Sequence, residues 1–185
     1  MSEARFEFSA VNAIDAESIG EPGKRTFRVR ILRGDESASL WMEKHRIAAL
    51  GEAIPRLIEQ LNTPDQHPDV NADPIGYFPD EPTVEFKVGR LALGYSSQED
   101  RLVLIAHDLA TEVDEGEDEG QDDDDDSDTP AFSCRFTREQ ARALSNSCAD
   151  AVAGGRPDCM LCHRPIDPAG HMCPRANGYQ PLPQA

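Results

Sequence analysis

The 185-residue chain has little apolar content and no long apolar run. Hydrophobic residues make up 38% of it, and no stretch approaches the roughly 18 consecutive apolar residues that a membrane-spanning helix requires. The N-terminal residues MSEARFEFSA also lack the basic start and apolar stretch of a secretory signal peptide. These absences predict a cytoplasmic protein with no membrane partner, in a compartment where thiols stay reduced.

Basic residues are scarce: 18 Lys and Arg stand against 35 Asp and Glu, a formal net charge of -17. Twelve of the carboxylates fall between residues 112 and 128, a stretch without a base. Such a chain repels phosphate backbones, so nucleic acid is disfavoured as a partner. Self-repulsion and the shortage of apolar residues predict that residues 111–130 are a disordered insertion. The aspartate run also lacks the spaced oxygens and central glycine of an EF-hand loop.

Familiar catalytic motifs are missing as well. The chain has no phosphate-binding Walker loop, no Gly-x-Ser-x-Gly elbow and no Gly-rich dinucleotide fingerprint. None of the five histidines has a glutamate two positions later, as a zinc deaminase would require. The sequence therefore names no catalytic residue, although it leaves open whether the protein is an enzyme.

Hydrophobic periodicity predicts two similar halves. In the first half, Phe6 and Phe8 indicate a short strand, and residues 26–33 and 37–43 indicate a hairpin. The segment between the short strand and the hairpin is expected to be a loop. Apolar residues spaced by three and four then predict a helix over 44–61, which Pro55 should kink or break. Residues 62–82 hold five prolines and form a connection.

In the second half, a strand from Val84 changes parity at Gly89-Arg90, as at a β-bulge. Residues 102–106 and 132–136 continue the sheet. A helix follows, with the capping-box spacing of Thr137 and Gln140 at its start and glycines after its end. We therefore expect an α+β body over 1–155: an antiparallel sheet from two βββα-like halves, superposable at an offset of 94 residues, with helices on one face.

A zinc knuckle is predicted over residues 156–185. Cys159 and Cys162 are two residues apart, and His171 and Cys173 follow after a segment rich in Pro and Gly. Three thiolates and one imidazole form a common closed structural zinc site, without an open position for catalysis. His163 competes with His171 for the fourth place, but it directly follows Cys162, and adjacent residues seldom reach one ion comfortably.

Cys134 and Cys148 lie on apolar faces of a strand and a helix, so we expect them in the core. The densest basic cluster surrounds Arg28 and Arg30. It is either a solvated strand face or part of a site for an anionic ligand. His45, His67 and His107 are isolated along the chain and are expected to be surface or satisfied histidines.

The C-terminal residues carry a family resemblance. Cys159-Met160-Leu161-Cys162, followed by Pro165-Ile166-Asp167-Pro168 and Gly170-His171-x-Cys173-Pro174-Arg175-x-Asn177-Gly178, resembles the signature of an uncharacterised bacterial family, domain of unknown function 3090. The resemblance extends to Gly20-Glu21-Pro22-Gly23-x-Arg25-Thr26-Phe27 and to Met42-Glu43-Lys44. It implies a cytosolic bacterial protein with the four Cys/His positions as zinc ligands, and it implies no activity. His163 stands where that family usually has glycine.

Two functional hypotheses follow. In the first, the protein is a non-catalytic protein-binding or adaptor module, whose partner contacts Pro174, Arg175, Asn177, Gly178 and Tyr179 beyond the last zinc ligand. The alternative is an enzyme acting on an anionic or phosphorylated small molecule in a cleft between the two halves, with Arg25, Arg28 and Arg175 as anion ligands. Single-stranded RNA binding is a weaker idea, because the knuckle has only Tyr179 for base stacking.

Overall fold

We describe the fold from a computed structural model. It describes residues 4–21, 24–61, 77–110 and 130–154, together with residues 161, 162, 173 and 175 of the C-terminal segment. Residues 62–76 of the expected proline-rich connection and residues 111–129 of the expected acidic insertion lie outside these residues.

The described residues form one sheet of seven strands and two helices, an α+β arrangement as expected. In chain order the elements are β1 Phe6–Phe8, β2 Ala13–Ile19, β3 Thr26–Arg33, β4 Glu36–Met42, α1 Lys44–Gln60, β5 Val84–Ser96, β6 Arg101–Asp108, β7 Phe132–Phe136 and α2 Arg138–Ala153. Across the sheet the strand order is β1-β7-β6-β5-β4-β3-β2.

The sheet is mixed, so the prediction of an antiparallel sheet was wrong. β4 pairs with β5 in parallel, with Leu40 opposite Phe86, and β1 pairs with β7 in parallel. The remaining four pairings are antiparallel. The parallel pair in the centre follows from α1, because a helix between two neighbouring strands returns the chain to the end at which the first strand began.

The prediction also missed β2, where the sequence indicated a loop, so the first half has four strands before its helix. In the segment AIDAESI the buried residues are Ala13, Ile14 and Ala16, so the segment lacks an alternation of large apolar residues. Its acidic residues also weaken its strand propensity. Its stability comes from the neighbouring strand, since Asp15 lies opposite Arg30 and Glu17 opposite Arg28. Cross-strand pairs of this kind are not visible in the periodicity of one segment.

The two ends of the sheet lie close together. The amide of Val11 donates to the carbonyl of Arg135 in β7, and the next amide, of Asn12, donates to the carbonyl of Leu32 in β3. Two consecutive residues thus bond to opposite ends of the strand order, which requires a strongly curled sheet. Near this point α2 begins, and Gln140 donates from its side chain to the Val11 carbonyl.

The helices meet at equivalent positions of the two halves. Ser145 Oγ donates to the Gly51 carbonyl over 2.7 Å, and these residues are 94 apart in sequence. A Cβ atom on Gly51 would lie 2.8 Å from Cβ of Cys148, so glycine is needed for this close approach. The contact agrees with the 94-residue offset between the halves, although duplication itself stays a prediction.

One buried cluster joins both helices to the inner face of the sheet. Ile47, Ile54 and Leu144 contribute from the helices, and Val29 and Leu104 from the strands, all fully buried. Because the helices share this cluster, they cover the same face of the sheet, as the sequence predicted. Helix α1 is a single continuous element with Pro55 inside it, so Pro55 does not break it in two, and the alternative of a kink stays a prediction.

Two local predictions are confirmed. The β5–β6 register shifts between Val88 and Leu91, which is the bulge expected at Gly89-Arg90. The capping box of α2 is formed in both directions between Thr137 and Gln140, and Gly154 caps the end of the helix.

Neither described helix is long and apolar enough to span a membrane.

Candidate functional site

Two of the four predicted zinc ligands belong to the described residues, and both are shielded. Cys173 is 7% exposed and Cys162 is half-buried. Arg175 Nη1 donates to the Leu161 carbonyl over 2.9 Å. Since Leu161 precedes Cys162 and Arg175 lies two residues after Cys173, this bond brings together the two cysteine-bearing segments that a shared ion requires.

The other predicted ligands, Cys159 and His171, lie outside the described residues, as does the competing His163. Among the residues that are described, no group of three or more His, Cys, Asp or Glu could hold a metal ion. The donor chemistry nevertheless fits zinc, because two cysteines placed on adjoining segments supply half of the predicted tetrahedral set of three thiolates and one imidazole. The zinc knuckle and its ion therefore stay predictions.

The two body cysteines are core residues, as expected. Cys134 of β7 and Cys148 of α2 are both fully buried. Burial raises the pKa of Cys134, and it raises the pKa of Cys148 to about 12, with a smaller contribution from the Asp15 carboxylate. Because the thiolate is the reactive form, neither cysteine is poised as a nucleophile or a metal ligand.

The arginines of β3 are only partly solvated. On the outer face of the sheet, away from the helices, Arg28 pairs with Glu17 over 2.6 Å, and Arg30 pairs with Asp15 over 2.7 Å. The side chains are between 17% and 27% exposed. Carboxylates on β2 thus neutralise the basic cluster, which limits what an external anion would gain there.

Aromatic rings complete this surface. The Arg28 guanidinium lies 5.0 Å from the centre of the Trp41 ring, and Arg30 lies 4.5 Å from that of Phe78. Cation–π contacts and ion pairs therefore share the same arginines. The sequence analysis did not anticipate these contacts, since Trp41 and Phe78 come from separate segments. In the sequence, this surface was indicated only by Arg28 and Arg30, which alternate with apolar residues along β3.

A notch of about 400 Å³ opens where β3 begins and β4 ends, alongside β5. It therefore lies between the two halves. Its walls are mainly apolar, and polar side chains surround them. The lining residues are Arg25, Thr26, Phe27, Trp41, Met42, Glu43, Glu85, Phe86 and Lys87.

The three arginines of the enzymatic hypothesis have separate contacts. Arg25 lines the notch and donates to Ser18 Oγ over 3.2 Å. Arg28 is held by Glu17 and the Trp41 ring, and Arg175 by the Leu161 carbonyl. Within the described residues no contact joins any of these arginines to another, so the geometry gives the enzymatic alternative no support.

The bulge in β5 places Arg90 against His107. Arg90 Nη2 lies 3.2 Å from Nε2 and 3.4 Å from Nδ1 of the imidazole, and His107 is 7% exposed. A guanidinium nitrogen close to both ring nitrogens lies over the ring rather than in line with one nitrogen. His107 is thus a buried residue with a partner, in agreement with the expectation of a satisfied histidine.

Behind the β5–β6 turn lies a buried polar cluster that the sequence analysis missed. Arg138, the first residue of α2, pairs with Asp100 over 2.6 Å, and both side chains are at most 3% exposed. Tyr95 Oη donates to the same carboxylate over 2.6 Å. Asp100 has a φ of 48°, an unusual value for a residue other than glycine. The cluster anchors the start of α2 to the turn.

The sequence profile of the family described as "Protein of unknown function (DUF3090)" matches residues 6–173. The chain belongs to this family. The DUF3090 match runs from the first strand to the last predicted zinc ligand, so it includes all four Cys/His positions and stops before the residues expected to meet a partner.

The resemblance noted in the sequence is thus confirmed for the family as a whole. The description assigns DUF3090 no activity, and it neither names nor excludes a metal. No match was found among curated proteins or among solved structures.

Proposed function

We propose that this DUF3090 protein is a zinc-binding, non-catalytic protein-binding module. The observation that carries the proposal is the hydrogen bond from Arg175 to the Leu161 carbonyl, which ties the segment of Cys162 to that of Cys173. Cys159 and His171 would complete the ligand set. A saturated four-ligand zinc stabilises a fold and leaves no position for a substrate, so it suits binding better than catalysis.

Side chains beside this bond support a contact surface. Leu161 is 52% exposed and Arg175 is also exposed. Arginine is enriched at the centres of protein interfaces, where a few residues contribute most of the binding free energy. The acidic body would repel nucleic acid, so a protein is the better-matched partner.

The metal part of the proposal is tested by elemental analysis of protein purified without chelator. We expect one zinc per chain, and a loss of that zinc in Cys162→Ala. Cys148→Ala is the matched control, because it removes a buried cysteine of the body and should leave the metal content unchanged. Metal-free wild-type protein, or equal zinc in both variants, would refute the proposed site.

The binding part is tested by pull-down from a lysate of the source cells with zinc retained. We expect a reproducible partner that is lost with Arg175→Glu and kept with Arg56→Glu, since Arg56 is an exposed arginine on α1 in a surface pair with Glu52. Recovery of the same partners by both variants would place the binding surface elsewhere and reject this assignment.

A further inference from the structure

We propose that the notch between the two halves is a binding site for a small amphipathic monoanion, an apolar body carrying one carboxylate. The inference concerns the body and does not depend on the proposed zinc site. No reaction is assigned to it.

The size and walls of the notch suit such a ligand. Its volume of about 400 Å³ falls within the range of small-molecule pockets. Phe27 and Met42 are buried at its base, while Phe86 and Trp41 are only half-buried. Two large rings thus keep exposed apolar surface inside a concavity, where an apolar ligand body would cover it.

The notch has one cation without a carboxylate partner among the described residues. Lys87 Nζ lies 3.6 Å from Glu43, and the Trp41 indole N–H donates to Glu85 over 2.6 Å. Arg25 is different, since among the described residues it has no carboxylate partner. The Lys87 charge is thus compensated by Glu43 and Glu85 stays negative, so Arg25 is the cation at the rim that is available to a ligand carboxylate.

Arg25 also has donors to spare. Nη1 is bonded to Ser18 Oγ over 3.2 Å, and Nη2 has no acceptor among the described residues, whereas Nε also lacks an acceptor but is buried out of a ligand's reach. A carboxylate would meet the planar guanidinium with two parallel hydrogen bonds. A phosphate dianion suits the site less well, because Glu43 and Glu85 stand on the same rim and repel a second negative charge.

A purely structural role for Arg25 makes a different prediction. Gly154 ends α2, and a Cβ atom placed on it would lie 3.4 Å from Arg25 Nη1. The guanidinium is thus also close to the negative end of the α2 dipole, which tolerates a cation without a carboxylate. If this were its only role, replacing Arg25 would lower stability and leave ligand binding unchanged.

The chain provides its own reporter, because Trp41 is its single tryptophan and lines the notch. Full-length protein is titrated with octanoate while tryptophan emission is recorded, and then with octanamide, which has the same chain and no charge. We expect a saturable change with octanoate and about tenfold weaker binding of octanamide, the size of effect typical of losing a charge-assisted hydrogen bond.

Variants at position 25 then test whether Arg25 is the group that recognises the carboxylate of the ligand. Arg25→Gln should weaken octanoate about tenfold and abolish the preference over octanamide, because the charge-assisted bonds are lost. Arg25→Lys should retain part of the preference, and Arg56→Gln, outside the notch, should behave as wild type. Circular dichroism verifies that each variant folds.

Three results would overturn the proposal. They are the absence of a saturable emission change with octanoate, equal affinities of wild-type protein for octanoate and octanamide, and undiminished octanoate binding by folded Arg25→Gln. If Arg25→Gln does not fold, Arg25→Lys and the octanamide comparison on wild-type protein still decide the matter.

Discussion

In the α+β body, side chains from both helices and all seven described strands merge into one cluster from which water is excluded. In the C-terminal segment, the described residues Leu161 and Arg175 are exposed, and the hydrogen bond from Arg175 to the Leu161 carbonyl joins the parts of the segment that carry them. The body can fold by burying apolar surface, whereas a short segment with few large apolar residues needs another source of stability. A bound ion is the source that its cysteines suggest.

The largest effect should come from removing the metal. Chelation of zinc should expose residues 156–185 to protease and to amide hydrogen exchange while the strands and helices of the body keep their protection. The apparent binding free energy of a structural zinc, about 10–16 kcal/mol, is also the folding free energy of such a module. Exchange measured by mass spectrometry, with and without chelator, checks this. Equal protection of both regions in the two states would contradict the comparison.

Shortening an apolar side chain should destabilise the protein in the body and have little effect in the C-terminal segment, the reverse of what metal removal should do. Leu144→Ala removes a fully buried side chain and should lower the free energy of unfolding of the body by about 2–5 kcal/mol. Leu161→Ala is the matched control, because Leu161 is 52% exposed, and it should change that free energy by about 0.5 kcal/mol or less. Urea unfolding followed by circular dichroism measures both variants. Equal losses would mean that Leu161 contributes to the body core.

Alkaline pH should destabilise the body through its buried thiols. The pKa of Cys148 rises from 9.0 to about 12 in the folded chain. Between these values the unfolded chain loses the proton first, so the free energy of unfolding falls as pH rises, by up to about 1.4 kcal/mol per pH unit. Below pH 9 this contribution is fully present.

Cys148→Ala tests the origin of this slope. The variant should be less stable at every pH because of the lost packing, but its stability should fall less steeply above pH 9 than that of wild-type protein. Urea midpoints between pH 8 and 10.5 give both slopes. Parallel curves would show that Cys148 does not contribute to the pH dependence.

The smallest effect concerns a helix terminus. Thr137→Ala removes the hydroxyl that accepts from the Gln140 amide and should cost about 1 kcal/mol. The loss should appear in thermal unfolding of the body and leave zinc content unchanged. Thr137→Ser keeps the acceptor and should retain most of the stability. A similar loss in both variants would assign the effect to packing of the methyl group.

Local chemistry made much of the fold predictable from sequence. The bulge at Gly89-Arg90 and the Thr137–Gln140 cap are each encoded by a few neighbouring residues, and both were predicted correctly. β2 was missed because its stability depends on Arg28 and Arg30 of the next strand. The parallel pairing of β4 with β5 was missed because strand direction depends on the path of α1, and alternation along a strand carries no information about it.

The two candidate sites also differ in how far they can be predicted from the sequence. Cys162 and Cys173 stand out through their spacing, which can be recognised without a structure. The notch could not be found from the sequence, because Arg25, Trp41 and Phe86 are distant along the chain and meet only when β3, β4 and β5 are aligned. Which of its cations lacks a carboxylate partner is also a property of the folded surface alone.

The first strand of the chain pairs with the last one, Phe6 lying opposite Phe132. During synthesis, β1 therefore has to wait until more than a hundred further residues have left the ribosome before it finds its neighbour. Until then β1 has no strand to pair with. Because α2 follows β7 in the chain, α1 is also the one described helix that can cover the apolar face of the first strands. Completion of this fold is consequently a late event, governed by the closure of a very long loop.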